Sequence, residues 1–177
     1  MAVIVAQKIG DNFTTLQCLN LHAACCIGSN GLTVDKIEGD NCTPIGAWPL
    51  RRVFYRADKQ DTPVTQLPLT KITKQLGWCD DAKDEDNYNK LVTLPHPYSH
   101  EKLWREDDLY DIVVELGYND RPPIKGRGSA IFIHVMAKDG SPTSGCISLR
   151  KDNLLNLISL VEHNEVLEIK GSKSELV

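Results

Sequence analysis

The sequence predicts a mainly β fold with one clear helix in its C-terminal region. Most apolar segments are strand-sized and separated by Gly, Pro, Asn or Asp, which is typical of strands joined by turns. Helical spacing of apolar residues occurs clearly in one stretch, Lys151 to Glu162, through Leu154, Leu157, Ile158 and Val161. At 177 residues, the chain fits a single domain that buries a core without disulfides.

The N-terminal segment, residues 1–38, predicts four strands that form one sheet of a sandwich. The strands are residues 2–7, 13–19, 21–27 and 32–37. The first two are joined by a turn at residues 10–12, and the last two form a hairpin across the Gly-Ser-Asn-Gly turn at residues 28–31. A motif-bearing core, residues 39–170, and a tail, residues 171–177, complete the single predicted domain.

In the first part of this motif-bearing core, the sequence indicates little regular structure besides one strand. Gly39 to Pro49 is an ordered loop, because its prolines remove amide donors from any strand pairing. Leu50 to Arg56 alternates as a strand. Asp58 to Leu94 is predicted to be a long surface excursion, an irregular segment whose consecutive acidic residues face solvent. Trp78, inside this excursion, needs either a pocket to fill or a ligand to cover.

The second part of the core contains the more regular elements. Ser99 to Asp108 is a short helix or a loop that packs on a cleft. Tyr110 to Leu116 is a strand covered on both faces, because its β-branched residues are consecutive. A Pro- and Gly-rich loop at Arg121 to Gly128 precedes the stretch with the motif, and a final strand spans Val166 to Ile169.

Composition excludes several classes of function. A net charge of −4 offers no basic patch for nucleic acid. The six cysteines show neither a C-x-x-C motif nor paired zinc spacing, so we expect no metal and no cofactor. No apolar run reaches the length of a transmembrane segment, and residues 1–7 lack a basic start and a long apolar core, so no secretory signal is expected and the chain looks cytoplasmic.

The stretch Ile131 to Leu149 combines one histidine and one cysteine at the two ends of a short loop. Strand alternation places His134 near the end of a strand, and Cys146 begins a second strand after a Pro- and Ser-containing connector. A returning strand would bring the imidazole to the thiol, where it can accept the proton and hold the thiolate as an ion pair. Gly145 lets the backbone bend so that the amides of Gly145 and Cys146 face an oxyanion. The spacing of the histidine and the cysteine alone is equally consistent with a cysteine that packs in the core and a histidine that has no catalytic role.

The order of residues around this pair resembles the catalytic motif of the L,D-transpeptidases, the YkuD-type family. In that motif a histidine precedes a Ser/Thr-x-Gly-Cys element, which here corresponds to His134 and then Thr143, Ser144, Gly145 and Cys146. The resemblance continues through Gly39–Asp58, Gly77–Asp81, Tyr98–Asp120 and Gly126–His134. It implies a mixed β-sandwich of the L,D-transpeptidase catalytic-domain type.

The family further implies that Cys146 attacks the carbonyl of an L-residue that precedes a D-residue in a peptidoglycan stem peptide. The D-residue leaves, and the acyl group passes to an amine. His134 acts as the base, and in the family a backbone carbonyl can orient this histidine, so no third carboxylate is required. The expected partners are therefore peptidoglycan stem peptides, or muropeptides, and the implied location is the cell envelope or periplasm, in conflict with the missing signal.

Substrate-binding candidates follow from the same resemblance. Thr143 and Ser144 flank the nucleophile, and in the family the Gly-Tyr-Asn stretch that contains Tyr118 and Asn119 runs into the substrate cleft. The sequence is equally consistent with a Tyr118 that packs in the core and an Asn119 that belongs to a turn, neither of which binds substrate. Arg127 is a nearby cation that could bind a stem-peptide carboxylate in bidentate fashion.

Three features depart from the common family pattern, one of which is a gap between His134 and Cys146 that is shorter than in many members. The family commonly has His directly before Gly-Cys and Asn or Arg two residues after the cysteine, whereas this chain has Ser144 and Ser148. Two other functions therefore stay open: an L,D-carboxypeptidase or amidase that uses the same Cys-His pair, and a non-catalytic cell-wall-binding module. The oligomeric state does not follow from the sequence.

Overall fold

The protein's computed structural model describes residues 4–9 and 13–171, and these contain fourteen strands and one helix. The elements are β1 Ile4–Ile9, β2 Phe13–Cys18, β3 Leu21–Cys26, β4 Leu32–Thr33, β5 Thr43–Pro44, β6 Gly46–Tyr55, β7 Leu69–Lys71, β8 Leu76–Cys79, β9 Leu91–Thr93, β10 His100–Lys102, β11 Ile112–Leu116, β12 Phe132–Val135, β13 Ile147–Leu149, α1 Lys151–Leu160 and β14 Val166–Lys170. The predicted turn at residues 10–12 and the predicted tail beyond residue 171 lie outside the described residues.

Within the described residues, nine strands form one mixed sheet in the order β11-β12-β13-β3-β2-β1-β14-β6-β7. Strand β6 pairs with β14 along residues 46–49 and with β11 along residues 50–55. Because β6 pairs both with β14 and with β11, the first strand of this order, eight strands close on themselves around the core and β7 is attached to β6. The prediction of a mainly β fold with mixed strands and one helix is confirmed, and the packed layers belong to one continuous sheet.

The strands beneath the predicted motif are buried on both faces. All residues of β11, β12 and β13 are buried, as the consecutive β-branched residues of β11 predicted. Strands β12 and β13 run parallel, with His134 opposite Ser148. The end of one strand and the start of its parallel neighbour lie at opposite ends of the strand pair. A long connector is therefore needed to bring Cys146 back to the start of β13.

The helix α1 covers one side of the core. Its apolar face consists of Leu154, Leu157 and Ile158, which are fully buried, and it packs against β3 and β12. Each such side chain contributes about 1.5–3 kcal/mol by leaving water. The helix ends at Leu160, slightly before the predicted end, because Val161 has extended backbone angles. In the described part of the chain, no helix has the length and apolar character needed to cross a membrane.

Three predictions about local structure are wrong. Gly39–Pro49 is not a loop throughout, because Thr43–Pro44 form β5 and residues 46–49 of β6 pair with β14. Strand β4 has two residues and pairs in parallel with β5 rather than with β3, so the predicted second hairpin does not form. The predicted surface excursion contains β7, β8 and β9, and β8 joins β9 and β10 in a separate three-stranded sheet. The buried Trp78 explains why this segment has regular structure. Its ring lies 5.1 Å from that of Phe132, and its Nε1 donates to Asn89 Oδ1 at 2.9 Å. It fills the core rather than covering a ligand.

Candidate active site

A cavity of about 500 Å³ contains both His134 and Cys146 in its lining. Its walls come from four segments of the chain, and the lining residues used below are Lys36, Glu101, Arg105, Tyr110, Ser129, Thr143, Ser144 and Ser148. The structure therefore brings together the two residues that are most important to the sequence prediction. The segment Ser99–Asp108 borders this cavity as a short strand and loop, which confirms the cleft-packing alternative and excludes the helix.

His134 has its tautomer set by a backbone contact. The side chain is buried on β12, and its Nδ1 lies 2.8 Å from the carbonyl oxygen of Val135. A carbonyl oxygen only accepts hydrogen bonds, so Nδ1 carries the proton of the neutral ring and Nε2 keeps its lone pair. The ring of Tyr110 packs against the imidazole at 5.4 Å in an edge arrangement. A backbone carbonyl group therefore orients the imidazole so that Nε2 is the nitrogen that can accept a proton.

Cys146 lies immediately before β13, and its thiol contacts the backbone of the segment that leads into β12. The thiol donates to the carbonyl oxygen of Ala130 at 3.2 Å, and Sγ accepts from the amide of Phe132 at 3.4 Å. The described hydrogen bonds of Cys146 and His134 do not join the two side chains directly. In this structure the thiol is therefore held by backbone groups on the wall that it shares with His134.

The electrostatics of the cavity favour a neutral thiol and a neutral imidazole. Burial, together with the negative charge of Glu101, raises the pKa of the Cys146 thiol to about 12. Burial also lowers the pKa of His134 below its usual value of 6.5, although its bond to Val135 opposes this change. Both shifts oppose the ion pair that the sequence suggested.

This assignment predicts a specific effect of Glu101 on the reactivity of Cys146. We expect Glu101→Gln to speed alkylation of Cys146 by iodoacetamide roughly three- to tenfold at a fixed neutral pH, because a negative charge that opposes the thiolate is removed. Glutamine keeps an acceptor for the Tyr110 hydroxyl, which donates to Glu101 at 2.6 Å. Peptide mass spectrometry across a pH series measures the rate at Cys146.

The matched control is Glu106→Gln, which removes the same charge from an exposed position. It should leave the alkylation rate at Cys146 unchanged. Equal rates for the Glu101 and Glu106 variants would contradict the electrostatic role of Glu101. A wild-type profile that levels off below pH 8 would instead support the preformed ion pair.

Gly145 is required by the backbone of the loop that precedes Cys146. Its φ is +132°, and a Cβ at this position would lie 2.8 Å from the carbonyl oxygen of Cys42. The Gly145 amide donates to Thr143 Oγ1 at 3.1 Å, and the Thr143 hydroxyl donates to the Cys146 carbonyl oxygen at 2.6 Å. Of the two amides predicted to face an oxyanion, that of Gly145 is therefore already used inside the loop, which leaves that of Cys146.

A second threonine that the sequence analysis missed supports the same loop. Thr43 is fully buried, and its Oγ1 accepts from the Gly28 amide at 2.8 Å and donates to the Gly145 carbonyl oxygen at 2.8 Å. It ties β5 to the loop that precedes Cys146 across 102 residues of sequence. The only sequence signal was the family resemblance of the segment around Thr43, which did not single out this side chain.

The predicted substrate-binding residues divide into two groups. Thr143 and the exposed Ser144 line the cavity, whereas Tyr118, Asn119 and Arg127 do not. The Tyr118 hydroxyl donates to the Arg127 carbonyl oxygen at 2.6 Å, and the Asn119 side chain donates to two backbone carbonyl groups of the 124–128 loop. Arg127 forms an exposed ion pair with Asp35. These three side chains organise a neighbouring loop instead of facing the catalytic pair.

The cavity instead contains charged and polar groups that the sequence did not mark as binding residues. Arg105 is 34% exposed and forms a bidentate pair with Asp107. Lys36 is buried and lies 2.5 Å from Asp40. Among the described residues, the buried hydroxyl groups of Ser129 and Ser148 have no hydrogen-bond partner. These groups make the cavity polar, with two cations that lie among the carboxylates of Glu38, Asp80 and Glu101 in the lining.

Comparisons with known proteins identify similar proteins. The family model described as the L,D-transpeptidase catalytic domain, YkuD, matches residues 11–169. L,D-transpeptidase 1 of Mycobacterium tuberculosis is 15% identical, with a TM-score of 0.42 over 97% of this chain and 62% of that chain. The L,D-transpeptidase from Mycobacterium smegmatis is 13% identical, with a TM-score of 0.42 over 96% and 59% of the two chains. The chain thus spans about three fifths of the length of each. No curated protein matches the sequence.

Proposed function

Since the chain belongs to the L,D-transpeptidase catalytic-domain family, we propose that it transfers the acyl group of a peptidoglycan stem peptide through a thioester on Cys146, with His134 as general base. The observation that carries the proposal is the shared cavity, in which His134 has an Nε2 lone pair and Cys146 is the cysteine in the lining. A packed cysteine and an incidental histidine would not be expected to share such a polar cavity.

In the first half of the reaction, the sulfur of Cys146 attacks the carbonyl carbon of an L-residue while Nε2 of His134 accepts the thiol proton. The carbonyl becomes an oxyanion, for which the Cys146 amide is the proposed donor. The C–N bond to the D-residue then breaks, and the leaving amine takes the proton from His134. The D-residue is released, and an acyl thioester remains on Cys146.

In the second half, an amine attacks the thioester and transfers a proton to His134. The C–S bond breaks, the new amide leaves, and the proton returns to the sulfur. Water in place of the amine would give a carboxypeptidase with the same residues. The neutral Cys-His pair suits both steps, because the imidazole starts each half-reaction as a free base.

Substrate recognition is assigned to the cavity lining. We propose that Arg105 binds the carboxylate of the terminal D-residue, because its guanidinium lines the cavity and remains partly exposed. Ser148, opposite His134 across the parallel strand pair, is proposed to bind the peptide backbone with its unpartnered hydroxyl. Thr143 shapes the loop, and Ser144 contacts the substrate from the exposed side of the cavity.

Intact-protein mass spectrometry with purified disaccharide-tetrapeptide, followed by analysis of the muropeptides, tests the proposal. We expect a thioester adduct, together with cross-linked dimers or exchanged terminal residues. An adduct that yields only shortened tripeptide would replace the transpeptidase by the hydrolase. Folded protein that gives neither adduct nor product would contradict both enzymes and favour the cell-wall-binding module, which a pull-down with isolated peptidoglycan would then reveal.

A further inference from the structure

A second cluster of chemically active side chains lies outside the cavity, beside the end of β8 in the small sheet formed by β8, β9 and β10. Cys79 closes β8, Asp84 belongs to the turn that follows it, and His96 precedes β10. One ligand atom from each residue lies within 4.8 Å of the other two. Cys79 is fully buried and Asp84 is 4% exposed, so neither is an ordinary solvated side chain.

The separations between these atoms match those of a tetrahedral metal site. Cys79 Sγ lies 3.7 Å from Asp84 Oδ2, and His96 Nε2 lies 2.9 Å from the same oxygen. Bond lengths of about 2.3 Å for Zn–S and about 2.0–2.2 Å for Zn–N and Zn–O place tetrahedral ligand atoms about 3.3–3.6 Å apart. The two measured separations lie within about half an ångström of this range, and the third, between Cys79 Sγ and His96 Nε2, is no longer than 4.8 Å.

The carboxylate of Asp84 is oriented by its own turn. The amides of Asp86 and Asn87 donate to Oδ1 at 3.3 and 3.1 Å, and the Asn87 side chain also donates to both carboxylate oxygens. These contacts fix the carboxylate with Oδ2 directed at Cys79 and His96. Such outer contacts are what holds a metal-ligating carboxylate in place.

We propose that Cys79, Asp84 and His96 bind a single divalent transition-metal ion of the zinc class. The combination of one thiolate, one imidazole and one carboxylate suits such an ion, whereas calcium and magnesium prefer sites built of oxygen ligands. Three protein ligands leave a fourth position for water. The His96 side chain is 11% exposed, which gives an ion access from solvent.

The site would stabilise one wall of the catalytic cavity. The ion would link β8, the turn after it and the segment before β10, and β8 pairs with β10 so that Trp78 lies opposite Glu101. Asp80, directly after Cys79, and Glu101 both line the cavity. The role is therefore structural, and it does not depend on the acyl-transfer reaction proposed for Cys146.

Cobalt binding to the whole chain tests the proposal. The protein is freed of metal with a chelator and titrated with Co²⁺, and thiolate-to-cobalt charge-transfer absorption is followed. We expect one equivalent to bind with this absorption, and Zn²⁺ to displace the cobalt and raise the melting temperature. Cys79→Ser should remove the charge-transfer absorption, and His96→Ala should weaken binding by at least about tenfold, since even outer-shell changes cost about 10–100-fold.

The matched controls remove a thiol or an imidazole elsewhere in the chain. Cys42→Ser and His22→Ala should bind cobalt as the wild type does, because neither residue belongs to the cluster. Folded wild-type protein that binds no cobalt would overturn the proposal without the need for any variant. Charge-transfer absorption that survives in Cys79→Ser, or disappears in Cys42→Ser, would assign the ion to another cysteine and would also overturn it.

Discussion

Cys146→Ala is expected to abolish the acyl adduct and to lower turnover of a disaccharide-tetrapeptide by about 10⁴- to 10⁶-fold, the range that loss of a nucleophile costs in enzymes of this kind. The reaction proposed here runs through a covalent bond to sulfur, and alanine has no atom that can replace it. The cavity lining offers no second thiol among the described residues. Discontinuous assays of muropeptide products measure the loss.

Cys26→Ala is the matched control. Cys26 is also half-buried, and its thiol donates to the carbonyl oxygen of Gly140 at 3.3 Å, much as Cys146 donates to that of Ala130 at 3.2 Å. Both variants lose the hydrogen bond that the thiol donates to a backbone carbonyl group, and the Cys146 variant also loses the bond that Sγ accepts from the Phe132 amide, so its melting temperature should fall at least as much as that of the control. Only the Cys146 variant should lose activity. Turnover by Cys146→Ala within about tenfold of wild type would assign the nucleophile to another group.

The meeting of His134 and Cys146 in one cavity was predictable from the sequence because its signals are local. Strand alternation placed His134 at a strand end, and the loop chemistry between Ile131 and Leu149 required the chain to return. The family motif then selected Cys146 from six cysteines. The same kind of signal predicted α1, whose apolar spacing corresponds to its buried face.

The residues that complete the site were not predictable because they act across long separations in the sequence. Thr43 reaches the nucleophile loop from 102 residues away, and Glu101 affects the Cys146 thiol from a separate sheet. Arg127 was chosen because it is close in sequence, yet it pairs with Asp35 outside the cavity. Proximity along the chain is a poor guide when the lining of a cavity comes from several loops.

The small sheet shows a different limit of sequence analysis. Its strands have three or four residues, too few for an alternation pattern to be distinguished from an irregular loop. Trp78 indicated buried structure, but only the fold shows that its ring packs against Phe132. The cluster of Cys79, Asp84 and His96 was hidden for the same reason, since the separation of 12 positions from Asp84 to His96 matches no known ligand spacing.

His134→Gln is expected to lower kcat by about 10²- to 10⁴-fold, the usual contribution of a positioned general base, with little change in KM. The glutamine amide lies near the place of the imidazole Nε2, so the variant keeps a polar side chain of similar length but loses the Nδ1 donor to the Val135 carbonyl oxygen. A melting temperature close to that of the wild type checks that the packing of β12 is kept. Glutamine has no basic nitrogen to accept the thiol proton, which in the neutral pair must move during attack. Steady-state kinetics at several pH values separate these effects.

The pH profile identifies this role more specifically than the loss of rate does. Only neutral His134 can accept a proton, and burial lowers its pKa below 6.5, so wild-type kcat/KM should hold through pH 6.5 and fall only at lower pH. The residual activity of His134→Gln should lack this acid limb, whereas His22→Gln, at an exposed position on β3, should keep it. An acid limb that persists in His134→Gln, or a wild-type midpoint above pH 6.5, would show that another group accepts the proton.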